Sequence, residues 1–380
     1  MKFKSAKIPL ADIISRSWFV SFISQNAGDL FFKLVRTISK LKANKNGKVV
    51  ILSLHKLGDT VFTIPAIEHI VAHYKKNIYI FCFPESVPIY KMAFNQIEFL
   101  TINKSDFYFG NRIANKKARK LLKNIKPEII YDLTGWVISA SLIFNSKTRM
   151  IIGTNKNVFK SIYDYFISPR IKPQLSDIYL DVVSKVIENS INSNTKTKSI
   201  IRNPDGKIII HPFAAWKEKE WSFRNYFNLV LALKKNYSVA LLTPSNSMSI
   251  DIQQELAKTN IELIQTNSID ELIDEIKNCS VMIGNDSGPI NIGNYINVPT
   301  FTIYGATNSD YTTTGYVHHK HIQNSLKCSA RENEKFCLIG GATYDCPGIQ
   351  CMNLLTFNEV YSELNLLIEE YCEKDVRIKQ

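Results

Sequence analysis

Asp59 is the one carboxylate in the polar turn HKLGDT (residues 55–60), which follows an apolar stretch typical of a buried strand. Gly58 lets the chain turn tightly, and Asp59 stands where a following helix would begin. As a helix N-cap, such a side chain stabilises by about 1 kcal/mol. As a general base it could serve equally well, because ligands of α/β sheets bind beyond the carboxyl ends of strands. The turn by itself leaves both functions open.

A second polar loop, in HPFAAWKEKEWSFRNY (211–226), contains Lys217 and Lys219 directly after a predicted strand. Ser222 is placed to cap the helix that follows. A lysine at the end of a strand can neutralise a phosphate group as a point charge. The alternative interpretation is an ordinary solvated lysine.

A third segment, GNDSG (284–288), joins a predicted strand to a predicted helix. Its glycines permit close backbone approach, and a helix N-terminus offers free N–H groups and partial positive charge to an anion. Neither GxGxxG nor GxxxxGK[ST] is present, so the segment is not a usual dinucleotide fingerprint or P-loop. We expect Gly305 and Thr307, at the end of the next strand, to face the same cleft. A plain capped helix is the alternative.

Four late cysteines, Cys328, Cys337, Cys346 and Cys351, have the spacing C-x8-C-x8-C-x4-C, unlike the paired C-x2-C of a zinc ribbon. We expect packed free thiols, with a structural metal site or a disulfide as alternatives. The cluster HHKH (318–321) predicts a polar loop rather than a metal site. No Asp-x-Asp pair occurs, so a metal-bridged nucleotide diphosphate has little support.

The elements that must position these residues alternate between strands and helices, which predicts a parallel α/β architecture. Predicted strands are 48–54, 78–83, 98–102, 128–132, 150–152, 207–212, 238–243, 261–264, 280–283 and 299–304. Predicted helices are 63–75, 112–125, 136–145, 175–190, 223–235, 248–258, 268–277 and 288–296. The Asn-, Ser-, Thr- and Lys-rich stretch 189–207 is the best linker candidate. Two α/β halves joined there would enclose a cleft.

The composition, with 380 residues and a formal charge of +13, suits a two-domain protein with anionic partners. No apolar run approaches the roughly 18–20 residues of a membrane span, and no signal peptide is recognisable. Seven cysteines do not indicate a secreted disulfide scaffold, so we expect a cytoplasmic protein. Basic runs at 1–47 and 115–126 favour an anionic membrane surface over nucleic acid, since neither lies in a nucleic-acid-binding module. A solvated helix face is the alternative.

Five segments, in their order and spacing, resemble glycosyltransferase family 9, the ADP-heptose:lipopolysaccharide heptosyltransferases. They are LHKLGDTVFTIPAI, IIYDLTGWVISASLI, IIIHPFAAWKEKEWSFRNY, VMIGNDSGPINIGNYINVPTFTIYGATN and CPGIQCMNLLTFNEV. The resemblance implies a GT-B fold of two Rossmann-like domains facing a central cleft. We expect an amphipathic helical extension (1–47), an acceptor domain (48–195), a linker (196–206), a nucleotide-sugar domain (207–355) and a C-terminal helix and tail (356–380).

The resemblance also implies roles for particular residues. Asp59 would deprotonate the acceptor hydroxyl, Lys219 would hold the donor phosphates, and Glu262 would bind the ribose. The sugar and diphosphate would contact Asp286, Ser287 and Gly288, supported by Asn291 and Thr307. On the acceptor side we expect Gly58, Thr60, Lys116, Lys117 and Arg119. The family transfers with inversion and needs no active-site metal, and no cofactor is expected beyond the nucleotide-sugar co-substrate.

Three departures from the family pattern concern the donor. Ala214 and Ala215 stand where hydroxyl residues are usual, Asn291 replaces a histidine, and LLTPSN lacks a glycine. Our leading hypothesis is an inverting, metal-independent transfer of heptose from ADP-heptose to a lipopolysaccharide core or other glycolipid, at the inner face of the cytoplasmic membrane. The alternatives are another nucleotide sugar as donor, or a catalytically silent membrane-associated binding protein.

Overall fold

Two six-stranded parallel sheets form the framework of this computed structural model. The described residues are 18–109, 112–169, 174–187, 199–244, 256, 259–330, 334–337, 346 and 348–372, and for 18–27 the backbone alone is described. The first sheet has the strand order β3-β2-β1-β6-β7-β8, and the second has the order β11-β10-β9-β12-β13-β14. In each sheet the order reverses beside the first strand, which creates the switch point where ligands of such sheets bind.

The strands of the first half are β1 (Val49–Ser53), β2 (Ile78–Cys82), β3 (Glu98–Thr101), β4 (Phe107–Tyr108), β5 (Ile113–Ala114), β6 (Ile129–Asp132), β7 (Met150–Thr154) and β8 (Tyr165–Ile167). Those of the second half are β9 (Ile208–His211), β10 (Val239–Pro244), β11 (Glu262–Thr266), β12 (Val281–Asn285), β13 (Thr300–Tyr304) and β14 (His319–Gln323). The central strands are fully buried apolar runs, as parallel strands covered on both faces must be.

The helices are α1 (Trp18–Leu41), α2 (Leu57–Tyr74), α3 (Val87–Lys91), α4 (Lys116–Ile125), α5 (Val137–Ile143), α6 (Leu175–Ser184), α7 (Phe223–Leu233), α8 (Ile269–Lys277), α9 (Gly288–Ile296), α10 (Gln350–Asn353) and α11 (Phe357–Tyr371). Short 3₁₀ turns occupy Pro84–Ser86, Lys104–Asp106, Asn157–Ile162, Lys217–Lys219 and Ser309–Tyr311. Helix α11 packs on the second half, where Val360 and Leu364 share a cluster with Tyr226 and Leu229.

The two halves are packed together through α2 and α9. One apolar cluster contains Ile64 and Ile67 of α2 together with Ile290 and Ile292 of α9. At the start of these helices the backbones approach closely, and a Cβ atom added at Gly58 would lie 3.4 Å from the Cα of Gly288. Two helix N-termini therefore face each other between the sheets.

Several element predictions need correction. Helix α2 begins at Leu57 rather than at 63. The predicted helix 112–125 contains β5, which pairs with β4 outside that range, followed by α4. Asn115 causes that division, because its side-chain oxygen accepts from the N–H of Ala118 and caps α4. The edge strands β8 and β14 were not predicted. The HHKH segment lies partly within β14, so its assignment to a loop is wrong.

Other predictions fall partly outside the described residues. Helix 175–190 ends at Ser184 as α6, and of the predicted helix 248–258 only residue 256 is described. Within the predicted linker 196–206, the described residues 199–206 contain no helix or strand. The domain boundaries remain predictions.

Candidate functional site

Asp59 is the third residue of α2 and not its cap. The N-cap is Lys56, with an extended backbone and no side-chain capping bond, so the interpretation of Asp59 as the N-cap is wrong. In the first turn a carboxylate still interacts favourably with the helix dipole. The Asp59 side chain is 42% exposed, and its Oδ1 lies 3.9 Å from Nζ of Lys335, which comes from the other half of the molecule.

His55 fixes the loop that leads to Asp59. Its Nε2–H donates to the carbonyl of Leu133 (2.9 Å), and the N–H of Leu54 donates to the hydroxyl of Thr134 (3.0 Å). Burial is the main cause of the lowered pKa of His55; Asp59 opposes this shift and Lys335 adds to it. The ring is therefore a neutral tether between the ends of β1 and β6, the switch point of the first sheet.

Lys219, Asp286 and Thr307 meet around one carboxylate, although they are far apart in the chain. Oδ2 of Asp286 accepts from Nζ of Lys219 (2.5 Å) and from the hydroxyl of Thr307 (2.8 Å). The Lys219 ammonium also lies 5.0 Å from the ring centroid of Trp216. The structure thus joins three predicted donor-site residues at the carboxyl end of β12.

Asn285, which sequence reasoning did not single out, holds these predicted donor-site residues together. It is fully buried, and its Oδ1 accepts from the N–H of Trp221 (3.0 Å) and the hydroxyl of Tyr226 (2.9 Å). Its Nδ2 donates to the carbonyl of Pro212 (2.8 Å). The lysine-bearing loop is thereby fastened to the end of β12. The sequence feature that could have identified Asn285 is its position within GNDSG.

Ser287 and Asn291 present unsatisfied polar atoms at the N-terminus of α9. Ser287 Oγ and Asn291 Oδ1 are buried and have no hydrogen-bond partner in the described part of the chain. Buried polar atoms are normally paired, so two orphans beside the free N–H groups of one helix start indicate a place for a ligand. Gly288 has Leu57 and Gly58 of α2 as its neighbours.

Glu262 is not brought to this site, and the prediction that it binds the donor needs correction. It is the first residue of β11, whereas Asp286 follows the last residue of β12. All strands of this sheet are parallel, so Glu262 lies at the amino end of the strands and Asp286 at their carboxyl end. Glu262 instead pairs with Lys207, just before β9.

The predicted acceptor-side residues are dispersed. Gly58 faces Gly288 and Asn291 across the cleft, next to the predicted donor-site residues. Thr60 is fully buried and bonds to the carbonyl of Lys56 and the hydroxyl of Ser86, so its contacts are structural. Helix α4 carries the other three, Lys116, Lys117 and Arg119, and no described contact joins them to Asp59. Lys117 pairs with Asp106 at 3.0 Å.

The four late cysteines form no disulfide bond and line one cavity of about 350 Å³, next to Glu218 and Ala306. The disulfide interpretation is therefore wrong for this structure. Burial is the main cause that raises the pKa of Cys351 to about 11. Within the described residues, no three His, Cys, Asp or Glu side chains are arranged to hold a metal ion. No helix in the same residues is long and apolar enough to span a membrane.

Comparisons with known proteins agree with this arrangement. The model of glycosyltransferase family 9 (heptosyltransferase) matches residues 116–340. A lipooligosaccharide heptosyltransferase 2 of Campylobacter jejuni is 24% identical over 273 residues, which cover 68% of this chain and 80% of that protein. A lipopolysaccharide heptosyltransferase 1 of Campylobacter coli is 43% identical over 54 residues, 14% of this chain and 16% of that protein.

Solved structures show the same fold. A family 9 glycosyltransferase of Veillonella parvula superposes with a TM-score of 0.66 at 16% identity, covering 86% of this chain and 99% of that one. The E. coli heptosyltransferase WaaC with ADP superposes with a TM-score of 0.60 at 14% identity, covering 85% and 99%. The GT-B fold of two parallel-sheet domains expected from the sequence is confirmed.

Proposed function

The chain belongs to glycosyltransferase family 9, the heptosyltransferase family, and we propose that it transfers heptose from ADP-heptose to a lipopolysaccharide inner-core or related lipid-linked acceptor. The proposed reaction inverts the configuration of the sugar and uses Asp59 as its general base. Relatives of similar sequence in Campylobacter are named lipooligosaccharide and lipopolysaccharide heptosyltransferases. These names support the choice of sugar and acceptor.

The proposal depends mainly on one observation. The exposed carboxylate of Asp59, on the first half, faces the N-terminus of α9, on the second half, where polar groups are free to bind a ligand. Asp59 lies one residue from Gly58, which contacts Gly288 and Asn291. The unpaired Ser287 Oγ and Asn291 Oδ1 lie at the same junction. A base and an anion site on opposite walls of one cleft are what an inverting displacement requires, because nucleophile and leaving group must lie on opposite faces of the sugar.

In the proposed step, Asp59 takes the proton of the acceptor hydroxyl as its oxygen bonds to C1 of the heptose. The bond from C1 to the β-phosphate oxygen breaks, and ADP leaves with the electron pair. Lys219 and the N–H groups of α9 would stabilise the negative charge that develops on the diphosphate. Asp286 and Thr307 hold Lys219 in place for this role. These groups suit a metal-independent reaction.

Asn291 favours a second candidate, another nucleotide sugar as donor. The family pattern has a histidine at this position, and an amide differs from it in size and in hydrogen-bonding capacity. The free Oδ1 of Asn291 is aimed at no described protein group. It would accept a hydrogen bond from a sugar hydroxyl, so the donor sugar can differ from that of the named relatives.

For the acceptor, we infer a peripheral position at the inner face of the cytoplasmic membrane. Helix α1 exposes Leu30, Leu34, Ile38 and Leu41, at spacings that put them on one face. Lysines near this face, and the net charge of +13, complement anionic lipid. A lipid-linked acceptor would then be met at the surface that carries it.

The direct test combines nucleotide binding with a transfer assay. In a thermal-shift panel of ADP, UDP, GDP and CDP, we expect ADP to raise the melting temperature most, since a ligand of the native state stabilises it by mass action. Transfer of heptose from ADP-heptose to heptose-deficient lipopolysaccharide should then occur equally with and without EDTA. A preference for another nucleotide would support the second donor candidate, and activity lost in EDTA and restored by Mg²⁺ would contradict the metal-independent reaction.

A further inference from the structure

An open pocket of about 380 Å³ lies at the carboxyl ends of β6 and β7 and has no role so far. It is lined by Gly135, Trp136, Asn155, Lys156, Asn157 and Pro169. Trp136 is 60% exposed, an unusual condition for the largest aromatic side chain. The pocket lies at the ligand-binding edge of the first sheet, and its volume suits a small ligand.

A buried polar network fixes the turn that bears Trp136. Asp132, fully buried at the end of β6, accepts through Oδ1 from the N–H groups of Thr134 (3.0 Å) and Gly135 (3.4 Å). Through Oδ2 it accepts from the hydroxyls of Ser139 (2.7 Å) and Tyr163 (2.6 Å). These four hydrogen bonds hold the turn in one conformation.

Asn155 joins the second wall of the pocket to the first. Its Nδ2 donates to the carbonyl of Trp136 (3.2 Å) and to the hydroxyl oxygen of Tyr163 (2.8 Å), and its Oδ1 accepts from the N–H of Lys156 (2.8 Å). Trp136 therefore has a rigid backbone and an exposed ring. A preorganised aromatic face of this kind loses little entropy when a ligand stacks on it.

The distance from the pocket to Asp59 suits a single acceptor molecule that reaches both. Strand β6 is the neighbour of β1, and β7 is the neighbour of β6. His55, four residues before Asp59, already bonds to Leu133 of the β6 loop. Two strand spacings amount to roughly 10 Å, a distance that a short oligosaccharide can span. A hydroxyl at Asp59 and a second sugar ring at Trp136 could thus belong to one acceptor.

We propose that this pocket is an acceptor subsite, in which Trp136 stacks against a sugar ring and Lys156 pairs with an acidic group carried by that saccharide. Sugar rings have apolar C–H faces that pack on aromatic surfaces, while the amide of Asn157 and the ammonium of Lys156 offer polar contacts beside the ring. This inference rests on the proposed function, because it assigns the second binding region of the same reaction.

The approach from α1 supports this assignment. The 3₁₀ turn Asn157–Ile162, which starts in the pocket wall, packs against α1: Ser161 donates to Asp29, and the rings of Phe159 and Phe32 are 5.8 Å apart. One wall of the pocket is therefore attached to α1, the helix that carries the exposed apolar face. A lipid-anchored acceptor could place its acyl chains at α1, its middle sugars at Trp136 and its reacting hydroxyl at the base.

The test compares Trp136→Ala, Trp136→Phe and Lys156→Gln with Tyr165→Ala, an exposed aromatic near the amino end of β8. The probes are heptose-deficient lipopolysaccharide and its deacylated oligosaccharide, with ADP-heptose as donor. We expect Trp136→Ala to raise the acceptor KM at least about tenfold, with ADP-induced thermal stabilisation unchanged. Trp136→Phe should retain most affinity, and Lys156→Gln should raise KM in a salt-dependent manner.

An acceptor KM within about twofold of wild type in Trp136→Ala, or an equal rise in Tyr165→Ala, would overturn the subsite. Quenching of tryptophan fluorescence by the deacylated oligosaccharide, lost in Trp136→Phe, measures binding without turnover. If wild type shows this quenching but no transfer, the proposed function fails and the subsite stands. If wild type transfers heptose and the quenching persists in Trp136→Phe, the subsite fails alone.

Discussion

Asp59 and Lys335 form an ion pair that neither half of the molecule could make alone. Their 3.9 Å separation and partial exposure leave the carboxylate open to a substrate. Lys335 is held by backbone pairing, since its carbonyl accepts from the N–H of Asn308 (3.0 Å), which follows Thr307 of the donor site. The proposed base is therefore positioned by contacts with the second half of the molecule as well as by its own helix.

We expect Asp59→Asn to reduce the rate of heptose transfer by about 10²–10⁴-fold, the usual contribution of a general base. The substitution keeps the shape of the side chain but removes the proton acceptor. ADP-induced thermal stabilisation should be retained, because the proposed nucleotide site is built by the other half. Asp270→Asn, a first-turn carboxylate of α8, is the matched control. Turnover at the wild-type rate in Asp59→Asn would remove this residue from the mechanism.

A second prediction concerns Asp132 and the pH dependence of the free energy of unfolding. Burial is the main cause that raises its pKa from 3.8 to about 6, against the hydrogen bonds that lower it. The folded state thus holds the proton more tightly than the unfolded state, and this contribution is full below pH 3.8 and is lost as pH rises through about 6. The free energy of unfolding should lose up to roughly 3 kcal/mol from this group across that window.

The measurement is the difference between Asp132→Asn and wild type in denaturant titrations from pH 4 to pH 7. A difference is needed because His211, whose pKa burial lowers to about 4, has the opposite effect in the same range. We expect the variant to gain in stability relative to wild type as pH rises. A constant difference between pH 4 and pH 7 would contradict the raised pKa.

At the scale of elements, α1 has two chemically different faces. Arg36 is buried and donates to Asp164 and to the carbonyl of Arg149 (3.3 Å), and Phe32 packs against Phe144 and Phe159. These contacts fasten the helix to the first half. The opposite face exposes its leucines and an isoleucine, so the helix can remain folded on the protein while meeting a lipid surface.

We expect the double variant Leu34→Asp, Ile38→Asp to weaken binding to vesicles containing anionic lipid by at least roughly tenfold, because it removes apolar area and adds like charge to the lipid. Co-sedimentation at several salt concentrations is the measurement. Leu366→Asp, equally exposed on α11, is the control. Point variants are preferable to deletion, which would leave Asp164 without Arg36. Unchanged sedimentation of the double variant would contradict membrane docking by α1.

At the scale of the whole molecule, the two switch points face one another because α2 packs against α9 with their N-termini adjacent. A Cβ atom at Gly288 would lie 3.0 Å from Cδ2 and 3.3 Å from Cβ of Leu57. The absence of a side chain there sets the separation of the two sheets at the cleft.

We expect Gly288→Ala to force the helix starts apart and weaken ADP binding roughly tenfold, about 1.4 kcal/mol. Isothermal titration with ADP measures the effect. Gly293→Ala is the control in the same helix, since its Cβ would press on Thr300 within its own domain, 3.2 Å away. That control should lower the melting temperature without changing ADP affinity. An ADP affinity unchanged in Gly288→Ala would show that the cleft tolerates the methyl group.

The amino-acid sequence by itself determined the local pattern: buried strands ending in polar, glycine-bearing loops, and the alternation that makes two parallel sheets. Those features follow from short-range burial periodicity and turn chemistry, so Asp59, Lys219, Asp286 and Ser287 could be singled out early. The edge strands β8 and β14 were not predicted, because short, partly exposed strands have a weak hydrophobic pattern.

Only the tertiary structure decided which loops meet. Strand direction placed Glu262 at the opposite end of its sheet from the predicted donor site. The packing of the two halves brought Lys335 to Asp59, and the pairing of β6 with β7 brought Asn155 to Trp136. The physical reason is that these contacts join residues far apart in the chain. Their proximity depends on strand register and on the packing of α2 against α9, neither of which is written in any local stretch of sequence.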